Sequence, residues 1–343
     1  MVCEAFDPKG ISAEEALTLM NLEGAALFEV FARAGRVREH FKGNEVRMCS
    51  IVNAKSGGCP ENCSFCSQSA HYSGEASRYP LMTPEQVAEN ARAAAAAHAT
   101  EFSIVTATRG VNEPKALAQI ADSVRAVRDV GLEACASLGL LTEDSLQVLK
   151  DAGMQHVHHN LETSRSHFDK ICTTHTYDDQ IETVRSAKKL GFDVCCGGIF
   201  GMGETREQRV ELAVTLRELD VDHIPMNFLD PRPGTPLADV ERLSPTECLK
   251  IIAVYRLMMP TKDIFVMGGR EVNLRDMQSW IFMAGANGML LGNYLTTRGR
   301  SAEDDLKMLE DLGMKIKLPE IKPAPNDTVE RPMKLTQLRR ATN

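Results

Sequence analysis

Short runs of apolar and β-favouring residues alternate with longer helix-like segments along most of the chain. The short runs fall around 48–54, 101–107, 132–137, 155–160, 192–199, 222–228, 264–268 and 288–292. The segments between them open with capping chemistry. Thr83-Pro84-Glu85-Gln86, Thr205-Arg206-Glu207-Gln208 and Ser244-Pro245-Thr246-Glu247 each set a hydroxyl three residues ahead of a carboxylate or carboxamide, so that side chains and backbone N–H groups satisfy one another. Two of the three add a proline in the first turn, where no intrahelical donor is lost. Gly131, Gly153, Gly191 and Gly313 stand where helices end, as left-handed caps prefer. Eight strands alternating with helices predict a parallel sheet, and that number closes into a (β/α)8 TIM-type barrel; a six-strand open barrel or a doubly wound sheet is the alternative.

The pattern divides the chain into three parts. Residues 1–43 read as an N-terminal helical extension with a capping box at Ser12-x-x-Glu15, residues 44–317 as the barrel, and residues 318–343, with Pro319, Pro323, Pro325 and Pro332 among charges, as a loosely held C-terminal tail.

Hydrophobic residues make up 43% of the 343 and charged residues 25%, which excludes wholesale disorder, collagen and coiled coil. No uncharged apolar run approaches the ~18 residues a membrane span needs. The opening residues MVCEAFDPKG hold acidic groups and no apolar segment of a secretion signal, so a cytoplasmic location is expected. A net charge of −8 argues against nucleic acid or an anionic membrane as partner. Ten cysteines in a reducing compartment point instead to metal ligation or redox chemistry, or to small buried hydrophobes.

Spacing separates these uses. Cys59-Pro60-Glu61-Asn62-Cys63-Ser64-Phe65-Cys66 places three cysteines in a glycine-bearing loop just after the first strand-like run. Such a loop can converge three thiolates on one soft metal centre. A structural zinc normally takes four ligands, and His71 is a candidate fourth. A four-iron cluster held by three cysteines keeps one iron open for a small molecule.

A CxxxCxxC loop after the first strand of a barrel resembles the radical S-adenosylmethionine superfamily. The resemblance narrows to the biotin synthase family through CSIVNAKSGGCPENCSFCSQSAHYSG at 49–74, GLEACASLGLL at 131–141, HHNLETS at 158–164, ICTTHTY at 171–177, VCCGGIFGMGET at 194–205, GTPLAD at 234–239, MMPT at 258–261, GGRE at 268–271 and MAGANGMLLGNYLTT at 283–297, all in the family's order. It implies an enzyme that inserts sulfur into dethiobiotin, with a [4Fe–4S] cluster on Cys59, Cys63 and Cys66, S-adenosylmethionine on its open iron, and an auxiliary iron–sulfur cluster that supplies the sulfur. It also implies an electron donor such as flavodoxin or ferredoxin, and a homodimer. The competing readings are a related maturase or mutase without a sacrificial cluster, and a non-enzymatic iron–sulfur or zinc protein, which has no need of the 194–205 run.

The family's auxiliary site has three cysteines and an arginine. Cys135, Cys195 and Arg270 match three of these positions, whereas the third cysteine position is Ser103 here. A serine oxygen is a hard, weak substitute for a thiolate, so Cys172 is expected to replace it, with a [4Fe–5S] form favoured over [2Fe–2S]. Adjacent strand residues face opposite ways, so Cys196 is expected to be packing. By the same resemblance Phe65, Asn160, Glu162, Gly198 and Ile199 contact the cofactor, and His158, Asn160, Asn227, Thr296 and Thr297 the substrate. Gln180 stands where many relatives have an arginine for the methionine carboxylate.

Overall fold

The protein was analysed as a computed structural model that describes residues 6–324. Ten strands are present among them: β1 (Glu45–Lys55), β2 (Glu101–Thr106), β3 (Glu133–Ser137), β4 (His156–His158), β5 (Asp193–Cys195), β6 (Gly198–Phe200), β7 (His223–Phe228), β8 (Asp263–Val266), β9 (Gly288–Leu290) and β10 (Lys315–Ile316). All pairings are parallel. The order runs β1-β2-β3-β4-β5-β7-β8-β9, and β9 pairs back onto β1, which closes the barrel. β10 adds to the start of β1. The eight expected runs are the eight staves, the 192–199 run being split into β5 and β6. The split has a packing cause: a Cβ at Gly197 would stand 2.0 Å from the Pro225 carbonyl oxygen, so the chain there passes closer to β7 than any side chain permits.

The capping devices are in place. Thr83 and Thr205 form reciprocal capping boxes, Ser244 accepts from the Glu247 N–H, and Gly131 is a left-handed cap. The helices 13–20 and 25–42 precede β1 and pack on the outer helices 206–218 and 245–258. Of the tail expected from 318, residues 325–343 lie outside the described residues. The stretch before them is tied to the barrel floor: the Glu320 N–H donates to Glu133 (2.6 Å), the Glu320 carbonyl accepts from Gln155 (2.8 Å), and Ala324 is buried.

Strand alternation sorts the interior into levels. Even-numbered residues of β1, such as Met48 and Val52, join the large core between sheet and helices, whereas Cys49 packs with Phe265, Met267 and Leu290 inside the barrel. The floor is charged. Arg47 bonds Glu101 and, at 2.6 Å, Glu133; His156 bonds Glu133 at 2.9 Å; Lys42 pairs with Asp263 at 2.7 Å. Burial alone would raise the Glu133 carboxyl, but the His156 hydrogen bond and the Arg47 charge outweigh it and hold it below the usual range. At Glu101 burial prevails and its carboxyl is raised.

Arg47→Ala should therefore cost about 3–5 kcal/mol, because it strands two buried carboxylates. Urea unfolding at neutral pH checks this, and a loss no larger than the ~1 kcal/mol of a surface pair would mean that the floor does not depend on Arg47.

Candidate active site

β1 carries the chain up to the C-terminal mouth of the barrel, where consecutive left-handed glycines, Gly57 (φ 72) and Gly58 (φ 69), turn it into the cysteine loop. Gln68 anchors the turn. Its side-chain oxygen accepts from Asn53 (3.0 Å), Ser56 (3.1 Å) and the Gly57 N–H (3.2 Å), while its carbonyl accepts from the Cys59 N–H (3.0 Å). Cys59, Cys63 and Cys66 are all partly buried. Burial raises the Cys59 thiol and pushes Cys66 up to about 11, the desolvated-thiol state that a metal's charge reverses.

The 171–175 segment is stapled to this loop. The Ser64 N–H donates to the Ile171 carbonyl (2.8 Å), and the Asn62 side-chain oxygen accepts from the N–H groups of Thr173 (2.9 Å) and Thr174 (3.2 Å). Cys172 consequently lies 3.8 Å from Cys63 and 3.4 Å from Nδ1 of His175. The Cys63–Cys172 hydrogen bond raises the first thiol and lowers the second. Burial works against the His175 imidazolium, yet hydrogen bonds to Cys172 and Glu61 outweigh it and raise its pKa to about 9. Glu61 in turn accepts from Arg109 at 3.0 Å. His71, by contrast, is spent on the Pro60 carbonyl (2.9 Å).

Across the mouth, Glu162 has a left-handed backbone (φ 64), a strained state for a side chain of this kind. Its carbonyl accepts from the Ile199 N–H (2.8 Å), and a Cβ at Gly198 would stand 2.6 Å from that oxygen. Burial pushes the Glu162 carboxyl up to about 7, and its buried Oε2 has no hydrogen-bond partner. Phe65 and Ile199 pack with Ile171, Met202 and Leu229 in an apolar patch beside it. Asn160 accepts from the Gly197 N–H (3.1 Å) and bonds His158 (3.2 Å); Asn227 accepts from the Gly268 N–H (2.9 Å) and donates to the Gly198 carbonyl (3.4 Å). Burial lowers the His158 imidazolium.

Deeper in the barrel, Ser103 on β2 is the register partner of Cys135 on β3, and Cys195 on β5 is the partner of His158 on β4. Ser103, Cys135 and Cys195 are all buried. Cys196 belongs to the core between sheet and helices. The molecule thus holds two thiol sets at different depths, one at the mouth and one inside.

Comparison with known proteins decides the family. The radical SAM superfamily profile matches residues 54–216, and that of the biotin and thiamin synthesis associated domain matches 225–315. A biotin synthase of Geobacter sulfurreducens is 53% identical over 308 residues, covering 90% of this chain and 94% of that protein. One of Geotalea daltonii is 52% identical over 307 residues, covering 89% and 93%. The chain belongs to the biotin synthase family. Its fold is shared more widely: a methylornithine synthase superposes with a TM-score of 0.78 at 23% identity, covering 90% of this chain and 94% of that one. The [FeFe]-hydrogenase maturase of Carboxydothermus hydrogenoformans does so with 0.77 at 19% identity, covering 92% and 77%.

Two expected auxiliary ligands, Cys172 as the replacement for Ser103 and Arg270 from the family pattern, have protein partners of their own. Cys172 was expected to reach inward to Cys135 and Cys195; the Asn62 staple holds it at the mouth beside Cys63 instead. Arg270 was expected to face the auxiliary cluster, but its two terminal nitrogens are committed to Asp305 (3.0 and 2.7 Å), and only its buried Nε lacks a partner. Gln180 lies beneath the mouth against His175 (3.1 Å). Thr296 is exposed and Thr297 half-buried, in a loop that reaches β1 through Leu295 and Asn53 (3.3 Å). Sequence reasoning assigned no role to Cys49, Glu61 or His175. For Glu61 the only local signal was its position inside the cysteine loop.

Gly198→Ala should cost about 1–3 kcal/mol by urea unfolding, since the added methyl meets the Glu162 carbonyl and Leu212 (2.9 Å). An unchanged midpoint would show that β6 and the Glu162 turn can separate freely.

Proposed function

We propose that this barrel performs the reaction of its family, radical S-adenosylmethionine-dependent insertion of sulfur into dethiobiotin to form biotin, in the cytoplasm. The single observation that carries the reading is the presence of two thiol sets in one barrel, one in the loop after β1 and one buried on β3 and β5. Bound at the mouth and in the interior, a four-iron cluster with S-adenosylmethionine supplies a carbon radical, and an auxiliary iron–sulfur cluster supplies the sulfur.

The chain's own residues fit these groups. Cys59, Cys63 and Cys66 supply three thiolates, one short of a closed four-ligand set. Glu162 offers an unpartnered buried carboxylate oxygen, which suits acceptance from a ribose diol, and the apolar patch of Phe65 and Ile199 suits a flat adenine face. Gly198 keeps its backbone close to Glu162, which supports its assignment as a cofactor contact. Asn160, whose side chain also reaches the Glu162 carboxylate, His158 and Asn227 are polar groups suited to a cyclic urea. Thr296 and Thr297, on the rim, suit the substrate carboxylate. Cys135 and Cys195 are the inward thiols for the auxiliary cluster, and the buried Nε–H of Arg270, which has no hydrogen-bond partner, is left to hydrogen-bond a group bound there. The [4Fe–5S] form was favoured because of Cys172, which lies with the mouth thiols, so iron and sulfide counts decide between it and [2Fe–2S].

Substituting alanine for Cys59, Cys63 or Cys66 should abolish 5′-deoxyadenosine formation under a strong reductant, and biotin formation with it, while leaving iron inside the barrel. Normal deoxyadenosine production by any one of these variants would overturn the assignment.

Affinity for S-adenosylmethionine should also depend on pH through Glu162. Its pKa is raised to about 7, so the carboxylate that accepts from the diol is lost as the pH falls through that value and gained above it. Between about pH 6 and pH 8 the affinity should rise roughly tenfold, the ~1.4 kcal/mol expected of a hydrogen bond to a charged group. Calorimetry on the reconstituted protein measures it, and Glu162→Gln should flatten the profile.

A further inference from the structure

We infer that Cys49 is a thiolate ligand of the iron–sulfur cluster inside the barrel, joining Cys135 and Cys195 in the role that the serine at position 103 does not fill. The inference rests on the proposed function, because it presupposes a cluster in the interior, and it deepens that reading by naming a ligand.

Geometry carries it. β1 pairs with β2 through Cys49 and Glu101 and with β9 through Cys49 and Leu290, so Cys49 lies where the barrel closes. It is buried among inward residues of β8 and β9, while its neighbour Met48 joins the opposite core. Two residues further along β1, Ile51 is the partner of Ser103, which in turn partners Cys135, so Cys49 enters the same interior one step nearer the floor.

A second observation points independently to a ligand. The Ser103 hydroxyl is fully buried, and the polar group it meets is the Cys135 thiol, a weak hydrogen-bond partner. A polar atom left so inside a protein costs free energy, and an interior group supplies what the protein does not. A hydroxyl is a hard ligand and a thiolate a soft one, so between two inward groups on adjacent strands iron and sulfide take Cys49. Spacing bears on the kind of centre. Among the described residues only Cys63, Cys172 and His175 bring three ligand atoms within 4.8 Å of one another. The barrel thiols do not converge on a single point as one zinc ion requires.

The test removes the mouth cluster first. Full-length protein carrying Cys59→Ala, Cys63→Ala and Cys66→Ala is reconstituted anaerobically with ferrous iron and sulfide, and iron, acid-labile sulfide, visible absorption and Mössbauer spectra are recorded. This background should retain iron, and adding Cys49→Ala should remove most of its iron, sulfide and absorption. Adding Cys248→Ala, a buried cysteine of the outer helix 245–258, should change none of them. Cys49→Ser guards against misfolding: it should fold as the background does and keep iron with an altered isomer shift, the mark of an oxygen ligand. Full iron and an unchanged spectrum in Cys49→Ala would overturn the inference alone and leave the proposed function standing. A background that binds no iron would overturn both.

Discussion

Closing eight parallel strands into a barrel commits every second residue of each strand to an interior that bulk water does not enter. Any polar group sent there needs a partner from another stave or from a bound group. In this protein the demand is met differently at each depth. At the floor, Arg47 and Lys42 neutralise Glu101, Glu133 and Asp263, so the charges satisfy one another. Higher up, thiols and the Ser103 hydroxyl face one another without such pairing. At the mouth, Asn160 and Asn227 accept from backbone N–H groups of neighbouring staves.

That division explains why the two thiol sets stay separate. The mouth loop is shaped by Gly57, Gly58 and the Gln68 anchor, and the Asn62 staple draws the 171–175 segment onto it, so Cys172, His175 and Glu61 become neighbours of the triad. The interior thiols come from β1, β3 and β5, whose positions are set by backbone ladders. A loop cysteine such as Cys172 is placed by local hydrogen bonds and a strand cysteine by register. The two follow different constraints, and neither set is free to borrow from the other.

Much of this was legible in the chain itself. Period and capping residues located the eight strand-like runs and the helices between them, because strand alternation, reciprocal caps at Thr83 and Thr205, and left-handed glycines are local devices whose chemistry does not depend on what packs against them; closure into a barrel rather than an open sheet was not theirs to decide. The triad was equally plain, since three cysteines within eight residues of one loop must lie near one another whatever the fold. Cys196 was legible as a packing residue for the same reason: side chains of neighbouring strand residues point opposite ways.

What only the tertiary structure decided involves groups far apart in sequence. Cys49 stood in an apolar run with no neighbour to mark it, and it gains meaning only when β1 meets β2 and β9 and its thiol enters the space shared with Cys135 and Cys195. Cys172 looked free to turn inward until the Asn62 hydrogen bonds tied its segment to the mouth. Arg270 matched a ligand position by sequence, but Asp305 takes both ends of its guanidinium. Glu162 acquired its raised carboxyl from burial, and its left-handed backbone is bridged to Gly198 from a segment far along the chain. The physical reason is common to all four. Sequence determines which groups a segment carries and which way they alternate, whereas their protonation, partners and ligands depend on distances that exist only once the barrel has closed.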